Sequence, residues 1–333
     1  MRGHWISGLI LACVASSAYG EKTKKKDPPA KKDKPKEAKE SKEPKEPKPP
    51  KEPKVDVATL TDDPLLGKAD QIQGEELRGY VAFTFDDGPS PQTTPHVIDA
   101  LEKYNIPATF FIVSQRLVGK NGEKSREVLQ REVKGGFVIG SHSYSHPNLR
   151  GSKKLDLEID DAVRILARES GKKIGLFRAP FGALDATSRG WLRKRGLTEA
   201  FWSVDTLDWK ASDSERLRKK VMSMIVKQEG GVVLMHDVKP ITAKIAGLVF
   251  DDLEAFNCKR LTDKKDPILP VSIHYFIRDK KTQRAIPDEV KKTTEAYRTA
   301  LPGRCAKRPA PPSDPAPVKK PASPQSDKPQ PKP

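Results

Sequence analysis

The strongest constraint on this chain is a regular alternation of short apolar runs with amphipathic stretches. Runs rich in β-branched and aromatic residues fall at 80–85, 109–113, 137–141, 176–178, 200–204, 232–235 and 271–277. Stretches with helical spacing fall between them, at 94–104, 125–134, 155–169, 186–195, 217–228 and 242–256. Pro95 lies in the first turn of one helix, and Gly135-Gly136, Gly171, Gly196 and Gly230-Gly231 end others. Parallel strands need long crossover connections, and helices of this length supply them. The pattern predicts an α/β fold, with parallel strands closed or nearly closed into a barrel.

Polar residues gather immediately after the apolar runs. Asp86-Asp87-Gly88-Pro89 follows the first, and His142 and His146 follow the third. Arg178 to Gly182 end the fourth, Asp205 to Trp209 follow the fifth, and His236-Asp237 follow the sixth. In a parallel α/β barrel the strand C-termini open on one face, which holds the active site. One Asp and two His can hold a metal and leave a position free. A second carboxylate can take a proton from water, and another imidazole can protonate a leaving group. Adjacent Asp86 and Asp87 repel unless a cation or an arginine compensates, and a metal with Arg178 would supply both. Taken singly, each cluster reads more simply as a turn, a surface histidine or an ion-paired arginine. Their common placement at strand ends argues for chemistry.

The segments TFDDGPS (84–90), HSYSH (142–146), RAPF (178–181), DTLDW (205–209) and LMH (234–236) resemble, in order and spacing, five motifs of a known family. These are the NodB-homology polysaccharide deacetylases, carbohydrate esterase family 4, and the resemblance covers about residues 78–256. It implies a distorted (β/α)7 barrel. It implies Asp87, His142 and His146 as ligands of a divalent metal, with zinc expected and cobalt, nickel or iron able to occupy the same set. Asp86 would be the general base, with Arg178 orienting and charge-balancing it. His236 would be the general acid, with Asp208 tuning its pKa. Trp209 and Leu234 would line an acetyl pocket, and the Phe181 backbone N–H would donate to the oxyanion. Ala179 and Phe181 stand where proline and tyrosine are frequent, and the role given to Phe181 is a backbone one. The implied reaction hydrolyses N-acetyl groups of an amino-sugar polymer. For an exported bacterial protein, peptidoglycan N-acetylglucosamine leads, with chitin oligomers or an exopolysaccharide behind it. A wall-binding module that keeps the fold without activity is the reading from another class, and the complete acid, base and metal set argues against it. His96 and His274 have no motif around them and read as structural.

The ends of the chain differ from its middle. Residues 1–20 read as an export signal, with Arg2 before an apolar run from Trp5 to Ala18 that is too short to span a bilayer. Ile10 to Cys13 also resembles a lipobox, which would make Cys13 a lipid anchor. Residues 21–54 hold 14 Lys, 8 acidic residues and 8 Pro, a composition for an extended spacer. Residues 304–333 hold 10 Pro and 7 basic residues and read as a second tail without structure. Residues 55–303, the expected domain, carry 40 basic and 35 acidic side chains, so most of the net +17 sits in the tails. That argues against a nucleic-acid partner, which calls for charge on a folded face. The tails leave room for weak contact with an anionic surface. Cys258 and Cys305, an even pair in an exported chain, predict a disulfide worth roughly 3–4 kcal/mol. A monomer in the periplasm, the cell envelope or the medium is expected.

Overall fold

The computed structural model describes residues 55–119 and 122–308. The expected export signal, lipidation at Cys13, the linker and the tail beyond Arg308 lie outside the described residues. The chain runs through α1 (Val57–Leu60), β1 (Tyr80–Asp86), α2 (Thr94–Tyr104), β2 (Ala108–Ile112), α3 (Gly122–Lys134), β3 (Val138–Ser141) and α4 (Ala162–Ser170). It continues through β4 (Leu176–Phe177), α5 (Ala186–Lys194), β5 (Thr198–Glu199), β6 (Val204–Asp205), α6 (Ser214–Gln228), β7 (Gly230–His236), α7 (Pro240–Thr262) and β8 (Leu269–Pro270). A hairpin of β9 (Arg278–Asp279) and β10 (Thr282–Gln283) precedes α8 (Asp288–Ala306).

Local chemistry sets the helix ends. Asp185 caps α5 through Ser188, and Asp213 accepts from the first backbone N–H groups of α6. Asn105 and Gly171 end α2 and α4 in the left-handed conformation, which these residue types tolerate. β1 lies inside the sheet, between β2 and β7, and Val81, Phe83 and Phe85 on it are fully buried. Burial of both faces of a parallel sheet explains why Val81 to Phe85 are apolar apart from Thr84.

The strand order is β5-β4-β3-β2-β1-β7-β6, all parallel. Laid flat, the two edge strands of such a sheet would stand ~29 Å apart, at ~4.8 Å per step. Yet β5 and β6 are joined by residues 200–203 alone, and so short a link reaches ~18 Å at full extension. The sheet must curl until its edges nearly meet, which makes the distorted (β/α)7 barrel. Arg178, at the end of β4, stitches that seam. Its Nε donates to the Ala200 carbonyl at 3.2 Å and its Nη2 to the Phe201 carbonyl at 3.1 Å. It is 0% exposed, and its guanidinium lies 4.1 Å from the centre of the Phe111 ring.

Several elements depart from the sequence expectations. The run 200–204 is not one strand, because the chain crosses the seam there: Ala200 bridges Ile72, and pairing with β7 begins only at Val204. The run 271–277 is mostly a 3₁₀ turn, Ile273–Phe276. The paired strand β8 comes just before it and extends the β2-facing edge of β1 at Tyr80 and Val81. The stretch 155–169 begins as a π-helical segment, Asp156–Asp161, before α4. The folded body also reaches beyond residue 303, so the tail boundary at 304 is too early. α8 carries Cys305, which is disulfide-bonded to Cys258 on α7. Arg308 pairs with Asp251 at 2.9 Å and with Glu254 at 3.2 Å, both on α7. Among the described residues no helix is long and apolar enough to cross a membrane.

Candidate active site

The catalytic candidates stand where β1, β3, β4, β6 and β7 end. Asp86 is the last residue of β1, and Asp87 follows it with φ 76°. Successive side chains on a strand point to opposite faces. The left-handed turn at Asp87, which Asp tolerates better than most residues, breaks that alternation. Both carboxylates therefore approach His142. Asp86 Oδ2 lies 3.7 Å and Asp87 Oδ1 3.5 Å from its Nε2. His146 Nε2 lies 3.2 Å from the same Asp87 oxygen. Ser143, His146, Phe181 and Leu207 also have positive φ. Strained backbone thus recurs in four of the five motif segments, which is where function tends to store it.

Donor atoms of Asp87, His142 and His146 all lie within 4.8 Å of one another. Asp87 Oδ1 is buried and has no hydrogen-bond partner. His142 Nδ1 meets the Arg178 carbonyl at 2.7 Å, which turns Nε2 toward Asp87. Such a backbone bond is what orients metal-bound imidazoles. Burial lowers the His142 pKa to about 3, against an opposing pull from Asp87, so the ring is neutral and able to ligate. One carboxylate oxygen and two imidazole nitrogens, with an orphaned acceptor between them, fit a divalent cation. The loop carrying His146 is held from outside the motifs. The Glu158 carboxylate accepts from Ser145 N at 2.9 Å and Ser145 Oγ at 2.7 Å.

Asp86 is 3% exposed and pairs with Arg178 Nη1 at 2.8 Å. Burial raises its pKa, with Arg178 pulling the other way. On the next strand, His236 pairs in register with Asp86. Its Nδ1 lies 2.7 Å from Asp208 Oδ1, and its backbone N–H donates to Asp208 Oδ2 at 2.7 Å. Thr242 Oγ1 donates to the same Oδ2 at 2.5 Å. Burial alone would lower the His236 pKa, but the bond and charge of Asp208 overcome it and raise it to about 9. Burial would raise that of Asp208, and His236 and Thr242 instead hold it below its ordinary value. Trp209 is 54% exposed and Phe181 is 70% exposed, while Leu234 on β7 is nearly covered. The Phe181 ring meets His146 edge-on, with 4.8 Å between centroids.

The structure brings Asp86, Asp87, His142, His146 and Arg178 into contact, sets Phe181 against His146, and pairs Asp208 with His236. Trp209 borders a hollow beside Asp208, Leu234 lies on β7 two residues before His236, and His274 stands apart, hydrogen-bonded to Ser272. Sequence reasoning missed the supports Glu158, Thr84 and Thr242. Thr84 Oγ1 accepts from Arg178 Nη1 at 2.7 Å. It also missed the burial of Asp237, which packs against Gly88 and accepts from Thr94. The position of Asp237 directly after His236 was the available signal.

The polysaccharide deacetylase family model matches residues 73–200. A peptidoglycan-N-acetylglucosamine deacetylase of Bacillus cereus is 35% identical over 165 residues, 49% of this chain and 58% of that protein. A chitooligosaccharide deacetylase of Azorhizobium caulinodans is 32% identical over 179 residues, 53% of this chain and 81% of that protein. A peptidoglycan-N-acetylmuramic acid deacetylase of Bacillus subtilis is 34% identical, over 58% of this chain and 38% of that protein. The chain spans less than two thirds of the two peptidoglycan relatives. A solved peptidoglycan deacetylase of Bdellovibrio bacteriovorus superposes with a TM-score of 0.51 at 26% identity, over 57% of this chain and 54% of that one. The chain belongs to the NodB-homology polysaccharide deacetylases, carbohydrate esterase family 4.

Proposed function

We propose that the chain is an exported, metal-dependent N-deacetylase that hydrolyses the acetamido groups of an amino-sugar polymer and releases acetate. The observation that carries this is the incomplete Asp87–His142–His146 cluster, flanked by a charge-balanced carboxylate and by a carboxylate-bound imidazole. A divalent cation held there would supply a Lewis acid beside the acetyl carbonyl and the attacking water. Asp86, kept in place by Arg178, takes the proton of that water. The Phe181 backbone N–H is assigned to the oxyanion, as part of the electrostatic stabilisation such reactions need. His236 binds Asp208 through Nδ1, so its Nε2 is the atom that gives a proton to the departing amine. Trp209 and Leu234 border the acetyl group.

Peptidoglycan N-acetylglucosamine is the substrate we favour, in line with the relatives that act on it, and chitin-like oligomers come second. The Cys258–Cys305 disulfide supports export, since such bonds persist in oxidising compartments. The test is acetate release by the full chain from peptidoglycan and from N-acetylglucosamine oligomers, with and without chelator. Asp86→Asn should lower kcat by ~10²–10⁴, the contribution of a general base, while metal still binds. Ligand binding without turnover by the metal-loaded wild type would replace this reading with a silent wall-binding module.

A further inference from the structure

A basic hollow of about 560 Å³ opens at the end of the barrel away from the catalytic clusters. Lys68, Lys173, Arg193, Lys194 and Arg195 line it, with Asp62 as its one acidic wall residue. Lys173 stands just before β4, and Arg193 to Arg195 stand just before β5. These are the N-terminal ends of parallel strands, whereas Asp86, Arg178 and His236 stand at or just after C-terminal ends. The hollow and the reacting centre therefore face opposite ways.

Elsewhere the body pairs its arginines. Arg131, Arg218, Arg284 and Arg308 each reach a carboxylate. In the hollow, Arg195 is committed to buried Asp160, and Lys68 pairs with Asp62 at 2.8 Å. Lys173, Arg193 and Lys194 are exposed, and among the described residues their side chains reach no carboxylate. The bond and charge of Lys68, with the charge of Lys173 acting from farther off, hold the Asp62 pKa below its ordinary value. Arg193 and Lys194 lie in the last turn of α5, where cations offset the helix dipole. That accounts for two of the cations. It does not account for Lys68 and Lys173, which two other segments bring to the same place.

The surroundings of the hollow narrow the partner. Ala58 and Thr59 of α1 form part of its wall. In the same N-terminal segment Val55 and Leu65 are 41% and 39% exposed. The other exposed large apolar side chains lie elsewhere, Phe181 and Trp209 at the active site and Leu248 on α7. Residues 21–54, with 14 Lys against 8 acidic residues, lead directly into this segment. A soluble anion calls for the cations alone. Exposed apolar side chains in a segment that walls a basic hollow, joined to a lysine-rich stretch, suit a surface that meets anionic headgroups and the acyl boundary beneath them.

We propose that this end of the domain docks on an anionic lipid bilayer. A headgroup phosphate sits among Lys68, Lys173, Arg193 and Lys194, and Val55 and Leu65 rest at the headgroup level. The catalytic face then points away from the membrane, toward polymer outside it. Such docking requires the export proposed above and no catalytic step.

The test is co-sedimentation of the full chain with vesicles of phosphatidylglycerol and phosphatidylcholine, and with vesicles of phosphatidylcholine alone. Binding should be confined to the anionic vesicles and should weaken as salt rises. The lysine-rich ends also favour anionic vesicles, so two triple variants with the same loss of charge are compared. Lys173→Gln/Arg193→Gln/Lys194→Gln should lower the partition constant by ~30–100-fold, from about fivefold for each basic residue near the surface. Lys124→Gln/Lys227→Gln/Lys259→Gln, on α3, α6 and α7, should stay within about threefold of the wild type, because the attraction fades within a Debye length. Both triples should keep the wild-type melting temperature and the wild-type acetate release from soluble N-acetylglucosamine oligomers. Equal losses of vesicle binding in the two triples would assign it to net charge and overturn the docking surface. A first triple that loses binding to soluble polyphosphate while its vesicle binding is unchanged would replace the bilayer with a soluble polyanion. Vesicle binding by a wild type that releases no acetate would overturn the deacetylase reading and leave the docking surface standing.

Discussion

The two halves of the active site are held in opposite ways. On the acid side, Asp208 is fully partnered and leaves His236 only its Nε2 free. Asp208 accepts from the His236 ring, the His236 backbone and Thr242, and no ligand is needed to complete the set. On the metal side the same economy is absent. Asp87 Oδ1 is buried without a donor, two imidazole nitrogens face it, and Asp87, Ser143 and His146 all sit in left-handed backbone. One half is preformed in the chain, whereas the other leaves a buried acceptor between two imidazoles, the donor set we assign to a divalent cation.

The largest expected effect breaks that asymmetry. Replacing His142 with Ala removes one of three ligands and the bond that orients it. Metal affinity should fall by more than ~10², because even outer partners of metal ligands are worth 10–100-fold. Activity should fall with it. Calorimetric titration with zinc and the thermal shift it induces are the measurements. The equivalent change on the acid side, His236→Ala, should leave metal affinity within about threefold, on the same general expectation that only ligands and their immediate supports govern affinity. Equal losses of affinity in both variants would show that the two halves are one unit.

Arg178 serves the metal half, through its carbonyl on His142, and the fold. It neutralises buried Asp86, bonds Thr84, and ties the seam through the Ala200 and Phe201 carbonyls. Arg178→Met leaves an unpaired buried carboxylate, and breaking such a pair costs about 3–5 kcal/mol. Urea unfolding should show that loss. A variant with wild-type stability would mean that water or another group replaces the guanidinium, and the seam would need a different explanation.

The sequence expressed both halves of the site more clearly than the seam that joins the sheet edges. Asp87, His142, His146 and His236 were legible because metal ligation and proton transfer demand particular residue types, which recur at strand ends. The strand–helix alternation was legible because burial imposes a period. The seam was not. Residues 200–204 are Ala, Phe, Trp, Ser and Val, which read as one strand, yet the backbone crosses from one sheet edge to the other there. Composition reports burial and says nothing about which edge a strand joins. The run 271–277 misled for the same reason. α8 escaped notice because only Thr294, Tyr297 and Leu301 on it are buried, too few to form a clear stripe, and Pro302-Gly303 suggest a break. Glu158 supports the His146 loop through contacts between distant segments, which no local pattern announces.

The smallest effect sharpens the comparison by pH. Asp208→Asn keeps the shape of the acid half but removes the charge that raises the His236 pKa. Burial would then lower that pKa, so the imidazolium that donates the proton would persist over a narrower range. The alkaline limb of the kcat profile should move to lower pH, with kcat at neutral pH reduced by ~10–100-fold, within the range of a general acid. Stability should change in step. The His236 pKa is raised to about 9 in the fold, and the unperturbed value is ~6.5. Its stabilising contribution is therefore complete below the unfolded value and is lost as pH rises through about 9. Asp208 has a lowered pKa, so its contribution is present above its unfolded value and fades as pH falls through its folded one. Unfolding free energies compared between wild type and Asp208→Asn should differ most between these two limits and converge beyond them. A constant offset at every pH would trace the loss to packing and would remove the ion pair from the account of the acid half.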